Sequence, residues 1–476
     1  MNVLAIDQGT SATKALVVSD EGRVLAEAEA PVRPRATPDG GVEQDPEELW
    51  DSVVEAGGKA LEEAGAPVEA LGLANQGETV LAWDPRTGRP LSAAISWQDG
   101  RAADVCRRLG AHAEELREMT GLPLDPYFSA PKIAWLREHR TTEGVVTTTD
   151  AWLLNRLTGR AVTDAATASR TLLLDLDLVE WSPRACELFG VDPETLPEIL
   201  PCAGLVGETG AFGNRPIPVA GLAVDQQAAL FAEACLEPGE AKCTYGTGAF
   251  LLATVGTAAR RSRAGLVSCV AWRLDRTTYC LDGQVFSAGS AVGWLAEVGL
   301  IHDPTDLDRL GGSVPTPEGA AFVPGLAGLG APFWRPEAHG AFTGLSLATT
   351  RAHLVRAFIE GVAASVAWLA RAVAEDLGSP LARLRVDGGL TRSRTLMQTQ
   401  ADLLQAPVEV YPSPNATALG VAAFARLGMG WARDAREATG GWRPAAVYEP
   451  ACSLDEAEAR LRAWRAAVEA TMDLHG

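Results

Sequence analysis

No two cysteines in this sequence are separated by just two residues, and no His-Glu-x-x-His run occurs, so neither zinc-ribbon spacing nor a zincin helix is present. The eight cysteines (106, 186, 202, 235, 243, 269, 280 and 452) are scattered through a long chain and read as reduced core residues, not staples. The six histidines show no ligand spacing, which argues against a structural metal site. No apolar run reaches the roughly 18 residues of a membrane span. The first apolar run is broken by Asp7 and lacks a basic flank, so no signal peptide is read and the expected location is the cytoplasm. Basic residues are outnumbered 41 to 61, and the net charge of −20 speaks against nucleic acid or an anionic membrane as a partner. Short-period repeats and low-complexity blocks are missing too. So are the phosphate-loop pattern G-x-x-x-x-G-K-[ST] and a dinucleotide G-x-G-x-x-G after a strand.

What is present is glycine and threonine in turns between apolar strands. Residues 3–18 read as strand, polar turn, strand, with Gly9, Thr10, Ser11 and Thr13 in or beside the turn and Lys14 just after it. Backbone N–H groups, hydroxyls and a cation suit an anion, and Asp7 at the strand end suits a hydrated divalent cation. An ordinary edge hairpin with a polar tip fits this segment equally well. The pattern returns at 241–255, around Tyr245-Gly246-Thr247-Gly248. A third glycine turn, Val386-Asp387-Gly388-Gly389, precedes a helical pattern ending at Leu403-Leu404. Three separated glycine turns point to a nucleotide, its polyphosphate gripped by hairpins from both sides.

At 476 residues, two domains of about 200 residues each are expected. Strand-like segments (71–74, 79–83) alternate with helical ones (47–64, 102–119, 226–235), which predicts an α/β protein. The turn Glu237-Pro238-Gly239-Glu240 divides residues 1–238 from 239–476. A long helix over 351–377 carries apolar residues at 354, 358, 362 and 366 and belongs in the core of the second half.

Asp225 ends the apolar run Gly221-Leu222-Ala223-Val224 and opens a helix, the place where ligands collect in open α/β sheets. It reads either as a general base for a substrate hydroxyl or as a helix N-cap. Glu78, between two apolar strands, is a polyol hydrogen-bond acceptor or a solvated turn residue. Trp97 and Tyr127 offer aromatic faces to a small polyol, or simply core.

Together these segments resemble the FGGY carbohydrate kinases of the actin/hexokinase superfamily, closest to the glycerol kinase branch. The likeness spans nearly the whole chain. It is carried by Asp7-Gln8-Gly9-Thr10, Glu43-Gln44-Asp45-Pro46, Trp97-Gln98-Asp99, Asp150-Ala151-Trp152, Asp225-Gln226-Gln227, Thr244-Tyr245-Gly246-Thr247-Gly248, Gly328-Leu329-Gly330-Ala331-Pro332-Phe333-Trp334, Asp387-Gly388-Gly389 and Thr417-Ala418-Leu419-Gly420. The resemblance implies two actin/hexokinase-like (ribonuclease H-like) domains, each a mixed sheet flanked by helices, closing on an interdomain cleft. It implies ATP and Mg²⁺, a small polyol or sugar substrate, and phosphorylation of a terminal hydroxyl, glycerol to glycerol 3-phosphate first of all. It leaves a homo-oligomer open. By position, Asp225 is implied as the catalytic base, and Asp7 with Asp225 as the Mg²⁺ carboxylates. Thr10, Ser11, Lys14, Gly246, Thr247, Gly289, Gly388, Gly389 and Ser393 fall at the nucleotide site. Glu78, Trp97, Tyr127, Asp225, Gln226 and Phe250 fall at the polyol site.

Departures from the pattern bear on substrate. Glycerol kinases usually carry an arginine just before the polyol-site Glu, where this chain has Gly77. The lost guanidinium removes hydroxyl contacts and leaves room for a tetritol, pentitol or ketose. The Met-His pair usual in xylulose kinases is also missing. Lys14 stands for an arginine, Gly293 for a glutamine and Ser393 for an asparagine, changes that keep a charge or trim contacts.

Overall fold

The computed structural model describes residues 1–213 and 215–473. Two mixed sheets form its frame. The first contains β1 (Asn2–Gln8), β2 (Ala12–Ser19), β3 (Val24–Pro31), β4 (Ala70–Asn75), β5 (Ala203–Thr209) and β6 (Ile217–Val224), in the order β5-β6-β4-β1-β2-β3. The second contains β7 (Ala241–Tyr245), β8 (Ala249–Gly256), β9 (Val267–Arg273), β10 (Thr277–Val285), β11 (Leu384–Asp387), β12 (Val408–Val410) and β13 (Ala446–Tyr448), in the order β9-β10-β8-β7-β11-β12-β13.

The two sheets repeat one plan. In each, the opening hairpin is antiparallel (β1 with β2, β7 with β8) and its first strand runs parallel to the next inner strand (β4 or β11). A further parallel strand follows (β6 or β12), then an antiparallel edge (β5 or β13). The parallel strands β1, β4 and β6 are almost wholly buried, as strands covered on both faces must be. Their carboxyl ends bring Asp7, Asn75 and Val224-Asp225 side by side, since Asp7 lies opposite Ala74, and Asn75 opposite both Gln8 and Val224.

The helices cover these faces: α1 (Pro46–Ala64), α2 (Asp225–Ala232), α3 (Gly289–Glu297), α4 (Arg351–Leu377), α5 (Arg394–Leu404) and α6 (Ala416–Gly428). Asp45 caps α1 by accepting from Glu47 N–H, and Gly65 closes it in the left-handed conformation. The long helix α4 spans the 351–377 read from the sequence. Thr350 and His353 form its capping box, and Phe358, Val362 and Val366 are fully buried, while Leu354 is half-buried. Its length and apolarity suffice to cross a membrane, but most of it is enclosed by protein.

Two expectations shift. The helix expected over 102–119 is broken into Ala103–Arg108, a single tight turn at Gly110–His112, and Ala113–Thr120. Glycine at 110 supplies the break. Helix α2 stops at Ala232, short of Cys235. The strand expected over 79–83 is present as Val80–Trp83, in a separate five-stranded sheet with 35–36, 42–44, 94–95 and 145–148. This small sheet carries the loops of Glu78 and Trp97.

Helix α6 lies in the second half of the chain, yet it packs on β6, β4 and β1 of the first sheet and along α2. Strand glycines make this approach feasible: a Cβ at Gly72 would stand 2.6 Å from Val421 O, and one at Gly221 2.5 Å from Ala425 N.

Candidate active site

The first hairpin closes with Gly9 N–H donating to Ala12 O at 3.0 Å, leaving Ser11 exposed and Thr10 half-buried at its tip. Lys14 is the cross-strand partner of Asp7. The second hairpin turns through Gly246 and Thr247, and the first turn of α3 folds onto it. Gly289 N–H donates to Gly246 O at 2.9 Å, and Ser290 N–H to Thr247 O at 3.0 Å. A Cβ at Gly289 would lie 2.3 Å from Gly246 O, so only glycine permits this closeness. The third turn meets the same hairpin: Gly388 has φ +93°, and a Cβ there would stand 2.4 Å from Tyr245 O. Thr247, Gly289 and Gly388 therefore gather at one place. Gly389 opens a short turn, Gly389–Arg392, that leads into α5. Ser393 caps α5 by accepting from Leu396 N–H, and its hydroxyl donates to Asp308 at 2.9 Å. That hydroxyl is committed to holding the helix.

Asp225 is the first residue of α2, not its N-cap, which is Val224. One carboxylate oxygen accepts from Gln226 N–H at 2.7 Å, and the other from Gln226 Nε2 at 3.4 Å. The amide of Gln226 is oriented from below, because the buried Lys242 Nζ donates to its Oε1 at 2.6 Å and to Thr244 Oγ1 at 2.7 Å. Burial pushes the Asp225 carboxyl above the usual range, against the pull of the Gln226 N–H and of Lys242. Burial, then Asp225, then Asp387 raise Asp7 from 3.8 to about 7, with Lys14 opposing. Asp387 is raised by burial and drawn down by Lys242, and its Oδ1 has no hydrogen-bond partner.

Asp7 thus feels a carboxylate at the end of its own sheet and one from the second. Among the described residues, no three His, Cys, Asp or Glu side chains converge as a cage for a metal. Repelling carboxylates with an unsatisfied oxygen, but no cage, fit a Mg²⁺ ion held by one or two side chains, waters and substrate phosphates.

Beside Asp225 stands an aromatic box. Trp97 meets Tyr127 edge-on at 5.9 Å and Phe250 at 6.2 Å, and Tyr127 meets Phe286 at 5.7 Å. Phe250 and Phe286 come from the second half, so the box is shared. Trp97 Nε1 donates to Thr10 Oγ1 at 2.8 Å, tying this box to the first hairpin. Glu78 is buried, with φ +59°; its charge is felt by Tyr127, and it feels that of Asp225. Burial raises the Glu78 carboxyl and Arg170 lowers it, while burial lifts the Tyr127 hydroxyl well above its ordinary value.

Lys242, Arg170, Asp282 and Phe286 were not singled out by sequence reasoning. The usable signal was charge in apolar surroundings: Arg170 is the one charged residue in 165–174, and Lys242 sits inside a buried strand.

Comparison with known proteins agrees with this geometry. Residues 2–232 match the N-terminal domain of the FGGY family of carbohydrate kinases, and residues 241–429 match its C-terminal domain. The chain is 43% identical over 489 residues to the glycerol kinase of Bordetella parapertussis, covering 98% of this chain and 96% of that protein. It is 44% identical over 485 residues to the glycerol kinase of Thermus brockianus, covering 98% of each. The crystal structure of Plasmodium falciparum glycerol kinase with ADP superposes with a TM-score of 0.91 at 30% identity, over 99% of this chain and 98% of that one. On the match of both halves and the full-length likeness, the chain belongs to the FGGY family of carbohydrate kinases and is an ATP-dependent phosphotransferase.

Proposed function

We propose that the cleft transfers the γ-phosphoryl group of ATP to a terminal hydroxyl of glycerol, giving glycerol 3-phosphate and ADP. The observation that carries this reading is the position of Asp225. Its carboxylate is near enough to act on Glu78 of the aromatic pocket and on Asp7 of the first hairpin strand. Asp225 takes the proton of the attacking hydroxyl, and its raised carboxyl is the better base for it. Gln226, its amide locked by Lys242, donates to the same acceptor. Glu78 accepts from polyol hydroxyls, while Trp97, Tyr127 and Phe250 pack against the carbon edge.

On the other side, Thr10, Ser11 and Lys14 of the first hairpin and Gly246 and Thr247 of the second hold the phosphates, with Gly289 behind them. Gly388 and Gly389 give the adenosine a surface without side chains, and Ser393 fixes the adjoining helix. Asp7 and Asp225 would hold Mg²⁺, which supplies charge neutralisation on the phosphates. Catalysis is then mostly positioning and electrostatics, as phosphoryl transfer requires. The domains run 1–238 and 239–476, with α6 reaching back onto the first sheet.

The space expected beside Gly77 bears on acceptor size. A Cβ at 77 would lie 3.0 Å from Val224 Cγ2 and 3.7 Å from Arg170 Nε, so these two side chains border the position.

The test is ADP formation from Mg-ATP with glycerol, dihydroxyacetone, erythritol, xylitol, D-xylulose and D-ribulose. The highest kcat/KM is expected with glycerol. A longer acceptor preferred by tenfold would replace glycerol as substrate, and ADP formation indifferent to every acceptor would overturn the transferase reading.

A further inference from the structure

Arg170 follows the short helix Ala165–Ala168, which Asp164 caps by accepting from Ala166 and Thr167 N–H. It is 3% exposed and its fork is fully engaged. Nε donates to Glu78, one terminal nitrogen to Asp282 at 2.5 Å, and the other to the Tyr127 hydroxyl at 3.2 Å. Glu78 and Tyr127 are the two polar side chains of the acceptor pocket other than Asp225 and Gln226. Asp282 belongs to β10, in the second sheet, so a single guanidinium joins acceptor-reading groups of the first half to the frame of the second.

Three features make this arrangement specific. Glu78 sits at φ +59°, a conformation that side-chain-bearing residues rarely adopt, and Arg170 holds its carboxylate there. One Glu78 oxygen goes to Arg170, and the other is left for a hydroxyl. The guanidinium lies against the bare Cα of Gly77, with Nε 3.7 Å from where a side chain would begin. Charge is balanced locally as well. The carboxylates of Glu78 and Asp282 face Arg170, and Glu78 also feels Lys132, whose buried ammonium donates to the carbonyls of Pro126, Tyr127 and Phe128.

We infer that Arg170 is the positioning residue of the acceptor site, orienting Glu78 and Tyr127 toward the polyol and completing the pocket only through Asp282 of the second half. Its planar fork meets three partners at fixed angles, which a lysine cannot reproduce. The inference rests on the polyol-kinase reading of Glu78 and Tyr127.

Steady-state kinetics of Arg170→Lys, Arg170→Gln and Asp282→Asn, beside wild type, separate the alternatives. Arg170→Gln is expected to raise the glycerol KM about 10- to 100-fold, the effect of losing charged hydrogen bonds, with the ATP KM within about twofold. Arg170→Lys recovers part of that loss, and Asp282→Asn, which leaves the Glu78 contact intact, gives a smaller rise in the same parameter. Removing one partner of a buried ion set is destabilising, so Arg170→Lys and Asp282→Asn carry the test if the glutamine variant does not fold. Acceptor-dependent turnover by wild type, with glycerol KM unchanged in both of those variants or ATP KM rising equally, overturns the role of Arg170 alone. Wild-type turnover indifferent to acceptor overturns the functional reading, and this inference with it.

Discussion

Replacing Asp7 by asparagine is expected to stabilise the protein while disabling it. The Asp7 carboxyl is raised from 3.8 to about 7 by burial and by the charges of Asp225 and Asp387. A raised carboxyl favours the folded state at low pH. That contribution is complete below about 4 and is lost as pH rises through about 7. At about 1.36 kcal/mol for each pH unit, the full loss by pH 8 is about 4 kcal/mol. Asp7 keeps some contact with water in the cleft, so about 2–4 kcal/mol is the working figure. The asparagine side chain has no charge to bury and escapes the loss. Urea midpoints of the nucleotide-free proteins at pH 5 and pH 8 read this directly: the variant gains over wild type at pH 8, and the gain falls to less than half at pH 5. Added MgCl₂ narrows the gap at pH 8 by stabilising wild type only. Parallel pH dependence in the two proteins, or equal stabilisation of both by Mg²⁺, would refute the account of the carboxylate cluster.

Thr10→Val keeps shape but leaves the Trp97 indole N–H without its 2.8 Å partner. The loss of about 1–3 kcal/mol should appear in the KM for acceptor as well as for ATP, since the bond joins the two sites. Gly388→Ala forces a side chain into φ +93° and to 2.4 Å from Tyr245 O. The backbone term alone costs about 1–3 kcal/mol, so a lowered urea midpoint and weakened ATP binding by calorimetry are expected.

What the sequence discloses is what local chemistry decides. Glycine and threonine between apolar runs specify the two hairpins, and the parallel strand ends bring Asp7 and Asp225 together as the strand-to-helix junction suggests. The helix 351–377 is legible because its apolar spacing and its flanking Thr350 and Gly378 agree. The partners of Arg170 are not legible, because residues 78, 127 and 282 meet it only through tertiary packing across 43 to 112 positions. The same holds for α6: nothing in 416–428 says which sheet it covers, although Gly72 and Gly221 mark strands that another backbone approaches. Gly77 invites the idea of an enlarged pocket, and only the structure shows that Val224 and Arg170 are the side chains bordering it.

The central claim is that the Asp225 carboxylate makes this cleft a phosphotransferase, and Asp225→Asn tests it most directly. ATP affinity by calorimetry and glycerol-dependent ADP formation are measured on the same preparation. Turnover should fall about 10²- to 10⁴-fold, as loss of a general base requires, with the ATP Kd within about threefold of wild type. Turnover at the wild-type rate would contradict the assignment of Asp225 as the base.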